Sequence, residues 1–222
     1  MVKYIVSVIL ALAAPSAMAG IPSRNLKDAV KPVSVIFLDF DGTTIVNNDF
    51  SEELLTLCQE ESTTNCASEG ELASMLDDMP MANITEVMGG EERLARVQDM
   101  LETLRSTDKE FFILSTSWEP VPGTEWAKYI HKFSDMAELG FDMDHILSLD
   151  DPGVGISADK GAFAAETLES MGFLPDDALF ADDSAGNIES ATNKTDTLYL
   201  PVRAGYDFTD MDYIEARASL LE

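Results

Sequence analysis

The chain of 222 residues carries 41 acidic against 14 basic side chains, a formal net charge of −27. So acidic a chain has no electrostatic footprint for nucleic acid or anionic lipid, both of which are bound through basic patches. Its apolar content of 45% excludes disorder as the default, and its length suits one ordinary domain with a small accessory element.

Residues 1–19 have the three-part layout of a secretory signal peptide: Lys3, an apolar run from Ile5 to Ala14 broken only by Ser7, and Ala17-Met18-Ala19 as the cleavage signal. The alternative is a membrane anchor, but the run is short of the roughly 20 residues that span a bilayer. Cleavage after Ala19 and a secreted or periplasmic product are therefore expected, with no membrane partner. The charge is then read as a device for solubility, with adaptation to cation-rich surroundings as the alternative.

Ile21 to Lys31 is a polar lead-in. Val33 to Leu38 is β-branched and aromatic, which predicts a strand buried on both faces. From Phe50 to Gly89 the pattern is helical but broken. Ser51-Glu52-Glu53 opens one helix, Ser68 to Met79 is a second stopped by Pro80, and Asn83 to Met88 is a third stopped by Gly89-Gly90. Cys58 and Cys66 are the only cysteines, and in an oxidising compartment their spacing makes them plausible disulfide partners. Glu91 to Leu104 sets Leu94, Val97, Leu101 and Leu104 on one helical face.

Phe111 to Leu114 predicts the next buried strand, ending in Ser115-Thr116-Ser117. Thr124 to Leu139 reads as a helix closed by Gly140, His145 to Leu149 as a strand, and Lys160 to Met171 as a helix closed by Gly172. Ala178 to Phe180 predicts a third central strand, running into Ala181-Asp182-Asp183-Ser184. Leu198 to Val202 and Met211 to Leu221 complete the chain as strand and helix. This alternation predicts an α/β fold with a doubly wound, mostly parallel Rossmann-like sheet.

Ligands of such sheets bind beyond the carboxyl ends of the strands. Those ends carry Asp39 and Asp41, then Ser115 and Thr116, then Asp182 and Asp183, with Lys160 opening a helix between them. Singly, each has a plainer reading: an aspartate after a strand caps a turn, and a lysine is usually a solvated surface group. Together, four acids, a hydroxyl pair and one lysine suit a hard cation sharing a phosphate. Trp118 and Trp126 are read as a satellite hydrophobic cluster, with lining of the cleft as the alternative. His131 and His145 are read as surface or packing residues.

The pattern resembles the phosphatases of the haloacid dehalogenase (HAD) superfamily. The family's Asp-x-Asp-x-Thr motif stands here as Asp39-Phe40-Asp41-Gly42-Thr43. Its hydroxyl residue is met by Ser115, with Thr116 as neighbouring candidate, its lysine by Lys160, and its acidic pair by Asp182-Asp183, with Asn187 where many relatives carry another acid. The resemblance implies Mg²⁺-dependent hydrolysis of a small-molecule phosphate ester through an aspartyl-phosphate. Asp39 would be nucleophile and metal ligand. Asp41 would be general acid and base, offering its backbone carbonyl to the metal. Ser115, Thr116 and Lys160 would hold the phosphate. Asp183 is the expected direct metal ligand of the pair, while Asp182 and Asn187 could bind directly or through water. It also implies a core of residues 33–44 and 90–222 with a small helical cap at 45–89. The alternatives are a phosphotransferase or phosphomutase of the same superfamily and a non-catalytic HAD-like binding protein. A receiver-type signalling domain fits less well, because its phosphorylated aspartate lies on a middle strand.

Overall fold

The computed structural model describes residues 32–46, 48–61, 70–118, 121–150, 159–192, 194–199 and 207–219. The expected signal peptide, Cys66 and the last part of the expected final strand lie outside them. Five strands form one parallel sheet in the order β3-β2-β1-β4-β5. They are β1 (Val35–Leu38), β2 (Glu110–Thr116), β3 (Ile146–Leu149), β4 (Ala178–Asp182) and β5 (Asp196–Tyr199). Parallel strands need crossover connections, and helices supply them. Between β1 and β2 run α1 (Asn48–Glu61), α2 (Glu71–Ser74), α3 (Met81–Val87) and α4 (Glu91–Arg105). Then follow α5 (Gly123–Met136), α6 (Lys160–Met171), α7 (Ala185–Ala191) and α8 (Phe208–Ala218). Among the described residues, no helix is long and apolar enough to cross a membrane.

Successive side chains of a strand point to opposite faces, and here that parity divides the core. Ile36, Leu38, Phe111, Ile113, Leu179 and Ala181 join a large apolar cluster with α1 to α5 and α8. Val35, Phe37, Phe112, Leu114, Ala178 and Phe180 join a smaller one with α6 and α7. Cys58, Leu72, Ile84 and Met88, from the segment between β1 and α4, belong to the larger cluster. That segment is also tied to α5 by Gly70 N–H donating to Glu125 Oε2 at 2.6 Å and by a 2.5 Å Lys132–Asp77 ion pair.

Several boundaries differ from the sequence reading. Strand β1 begins at Val35, because the N–H groups of Val33 and Ser34 donate to the Arg217 and Asp177 carbonyls at 2.8 and 2.6 Å. The helix expected over Ser68–Met79 shrinks to α2, after which Leu76, Asp77 and Met79 make only short-range turn bonds. Helix α8 starts at Phe208 and not at Met211, on a reciprocal cap between Asp207 and Asp210. Strand β5 starts at Asp196, two residues before the expected Leu198.

Candidate active site

The chain runs outward from β1 through β2 to β3, then returns to place β4 on the other side of β1. That reversal opens a crevice at the carboxyl ends of β1 and β4, the usual ligand position in open α/β sheets. Asp39 stands directly after β1, its N–H bonded to the Ala181 carbonyl of β4 at 2.9 Å. The wide turn Phe40–Thr44 that follows needs a left-handed residue, supplied by Gly42 at φ 74°. The turn closes on itself as Thr44 Oγ1 donates to the Asp39 carbonyl at 2.7 Å. From α4, the buried Arg93 guanidinium grips it, donating to the carbonyls of Thr43 and Thr44, both at 3.0 Å, and of Met88 at 2.7 Å.

Strand parity decides which helix supports each polar group. Asp39 and Asp182 continue the alternation of Val35-Phe37 and Ala178-Phe180, on the side of α6 and α7. There Lys160 Nζ donates to Asp39 Oδ1 at 2.5 Å and to Asp182 Oδ2 at 3.1 Å. Helix α6 is capped by Asp159, which accepts from Ala162 N–H at 2.8 Å. Its second residue is Gly161, where an added Cβ would lie 2.4 Å from the backbone of Ser190 and Ala191, so only glycine lets α6 approach α7 this closely. Asp182 is fully buried and also accepts from Ser184 N–H at 2.7 Å and from Asn187 Nδ2 at 3.0 Å.

Burial pushes the Asp39 carboxyl well above its ordinary 3.8, against the pull of Lys160 and with the help of Asp182. Burial works against the Lys160 ammonium, but Asp39 and Asp182 outweigh it and its pKa rises above 10.5. Asp39 Oδ1 accepts from Phe40 N–H at 2.7 Å as well as from Lys160. Neither bond uses Oδ2.

On the opposite side, Ser115 follows the alternation of Phe111 and Ile113 toward α5. Trp126 Nε1 donates to Ser115 Oγ at 3.1 Å. One turn further along α5, the Tyr129 hydroxyl meets Ser51 Oγ at 3.0 Å, and Ser51 donates to Asp41 Oδ1 at 2.6 Å. Burial raises Asp41 from 3.8 to about 6, with hydrogen bonding from Ser51 and the attraction of Lys160 offsetting part of the rise.

These groups surround a pocket of about 330 Å³. Of the residues singled out in the sequence, Asp39, Asp41, Ser115, Thr116, Lys160 and Asp183 line it, as does Asn187. Asp182 lies behind the wall. Ser117 and Trp118 also face the pocket. The two tryptophans thus part company: Trp118 lines the cleft, and Trp126 is a fully buried member of the main core, not of a satellite cluster. His131 sits 3.6 Å from Asp135 and His145 lies against Phe111 and Phe112, both away from the pocket.

Sequence reading missed Ser51, Arg93 and Tyr129. Ser51 looked like a helix opener, but α1 begins three residues earlier, which carries Ser51 inside the helix and buries it.

Carboxylate oxygens of Asp39, Asp182 and Asp183 come within 4.8 Å of one another. Three carboxylates against one ammonium leave negative charge in excess, and an all-oxygen donor set suits a hard cation such as Mg²⁺. The site therefore fits the metal that the motif pattern implies.

A parallel five-stranded sheet with β1 at its centre and helices on both faces is the HAD fold, and this chain has that fold. The HAD domain of the effector protein Lem4 from Legionella pneumophila superposes with a TM-score of 0.53 at 19% identity, covering 83% of this chain and 94% of that one. Weaker likenesses include a haloacid dehalogenase-like family hydrolase from Xanthomonas campestris, with TM-score 0.45, 10% identity, and 87% and 92% of the two chains covered. Another is a HAD family hydrolase from Deinococcus radiodurans R1 with bound phosphate and sodium, with TM-score 0.42, 16% identity, and 84% and 89% covered. No protein-family model and no curated protein matches the sequence.

Proposed function

We propose that this chain is an exported, Mg²⁺-dependent phosphohydrolase that cleaves a small phosphate monoester through a phosphoryl group carried on Asp39. The observation that carries the reading is the placement of Lys160 Nζ 2.5 Å from Asp39, beside the acidic cluster and in one pocket with Asp41. Mg²⁺ held by Asp39, Asp183, Asp182 and the Asp41 carbonyl would offset the charge between an anionic nucleophile and an anionic substrate.

The chain's own groups account for each step. Asp39 Oδ2 attacks phosphorus, forming the new O–P bond as the bond to the ester oxygen breaks. Asp41, protonated at the start, passes its proton to that departing oxygen. Water then attacks the phosphoryl group, Asp41 takes its proton back, and the Asp39–phosphorus bond breaks to release phosphate. Lys160 and Ser115 hold the phosphoryl oxygens as charge builds on them. Trp126 occupies an acceptor site on Ser115 Oγ, which leaves the hydroxyl proton free to donate into the pocket. On this reading the helices α1 to α3 are the cap, packed against α5.

Purified protein screened against a panel of phosphate monoesters, with and without Mg²⁺, tests the reading. It fails if no member is hydrolysed faster than by the Asp39→Asn variant. Export is tested separately by N-terminal sequencing, which should begin at Gly20.

A further inference from the structure

A buried polar link joins the segment between β1 and α4 to the catalytic turn, and it ends on Asp41. We propose that Ser51 and Tyr129 are positioning residues that hold Asp41 in the orientation its proton transfers require, so that the cap segment contributes to the chemistry. This rests on the phosphohydrolase reading.

Ser51 Oγ lies 2.6 Å from Asp41 Oδ1 and 3.0 Å from the Tyr129 hydroxyl. Both Ser51 and Tyr129 are fully buried, so no bulk water competes for either bond. The direction of the link follows from proton counting. Ser51 Oγ donates to Asp41 Oδ1, and a serine hydroxyl has one proton, so the tyrosine donates in the bond to Tyr129. Oδ1 is thereby committed as an acceptor.

The far end of the link is rigid. The Tyr129 ring lies 4.9 Å from that of Trp126 and edge-on to Phe40 at 6.1 Å. Phe40 separates Asp39 from Asp41, so the same aromatic contacts fix the backbone that carries both acids. Trp126 and Tyr129 are three residues apart and share one face of α5. That face sets the Ser115 hydroxyl through one polar tip and Asp41 through the other.

Buried Ser51 and Tyr129 could instead serve only to satisfy each other, and leaving-group dependence separates the two roles. The rates of Ser51→Ala and Tyr129→Phe should be measured on p-nitrophenyl phosphate, whose leaving group needs no proton, and on ethyl phosphate, whose leaving group does. For Ser51→Ala, kcat should fall about tenfold more on ethyl phosphate than on the aryl ester, with KM nearly unchanged. Tyr129→Phe should show the same bias, about threefold, and Ser51→Thr should restore the wild-type ratio. In an Asp41→Asn background Ser51→Ala should add no further bias, because the two act as one unit. Equal losses on both esters, or none, overturn the proposal. If Ser51→Ala does not fold by circular dichroism, the volume-conserving Tyr129→Phe decides alone. Where the wild type does not turn over these two esters, an aryl and an alkyl member of the panel that it does hydrolyse take their place. A wild type inactive on the whole panel at millimolar Mg²⁺ overturns the hydrolase reading itself, and this inference with it.

Discussion

The two faces of the sheet support the same pocket by different physics. On the side of α6 and α7 the support is charge: Lys160 is wedged between Asp39 and Asp182, all three buried. On the side of α1 and α5 it is neutral: Trp126 holds Ser115, and Ser51 with Tyr129 holds Asp41, inside the larger apolar cluster. Buried charges are expensive to desolvate, so such a group is sustained only while its partners are complete. Neutral bonds carry a smaller penalty and mainly set direction. The charged face should therefore fail abruptly when altered, and the neutral face by degrees.

Asp39→Asn should give the largest effect, turnover falling to the level of a no-enzyme control. No phosphoryl adduct should appear by intact-mass spectrometry after acid quench with an acyl phosphate. Asp41→Asn should lower turnover of alkyl esters about 10²–10⁴-fold. It should still form the adduct from an acyl phosphate, because that leaving group needs no proton. An adduct mapping to a residue other than Asp39, or equal trapping by both variants, would refute the mechanism.

Lys160→Ala sharpens the contrast in stability. It leaves two buried carboxylates facing each other and should cost about 3–5 kcal/mol in metal-free protein. For a chain of this length that is a Tm fall on the order of 10 °C by calorimetry. Trp126→Phe, on the neutral face, removes the bond to Ser115 but keeps an aromatic ring. Lost packing and the lost bond together should cost about 1–2 kcal/mol. Equal losses from the two substitutions would erase the distinction between the faces.

A pH dependence is also expected at Asp41. Its folded pKa of about 6 lies above the ordinary 3.8, so between those values the folded chain binds more protons than the unfolded one. Stability contributed by this group therefore falls as pH rises through that window. Asp41→Asn does not titrate, so its Tm relative to wild type should shift upward by a few degrees between pH 4 and pH 7 in metal-free protein. A difference independent of pH would mean that the carboxyl is not desolvated.

Much of this fold is written locally. A buried parallel strand is a short apolar run and an amphipathic helix a 3.6-residue period, so Ile36 to Leu38, Phe111 to Leu114 and the Lys160 helix were legible without tertiary information. The acids and hydroxyls that follow such runs were legible too, because in this architecture strand ends converge on one edge. Strand-end and helix-start positions, together with the motif order the chain shares with the HAD phosphatases, marked Asp39, Asp41, Ser115, Lys160, Asp182 and Asp183 as one group. The turn bonds that shorten α2 and the Asp207–Asp210 cap were harder to read, since apolar periodicity is silent about the polar turns that end a helix.

Only the tertiary structure decided what holds those groups still. Ser51 and Tyr129 stand 78 residues apart in the chain, and Arg93 reaches back 50 residues to the Thr43 carbonyl. Nothing near any of these residues in sequence marks a polar partner. Their bonds exist because α1, α4 and α5 pack on one face of the sheet in a particular register, and register is a property of the assembled core. The same holds for the division of labour between Lys160 and Trp126. Strand parity sends Asp39 and Asp182 to one face and Ser115 to the other, but which helix waits there depends on how the crossovers wind around β1.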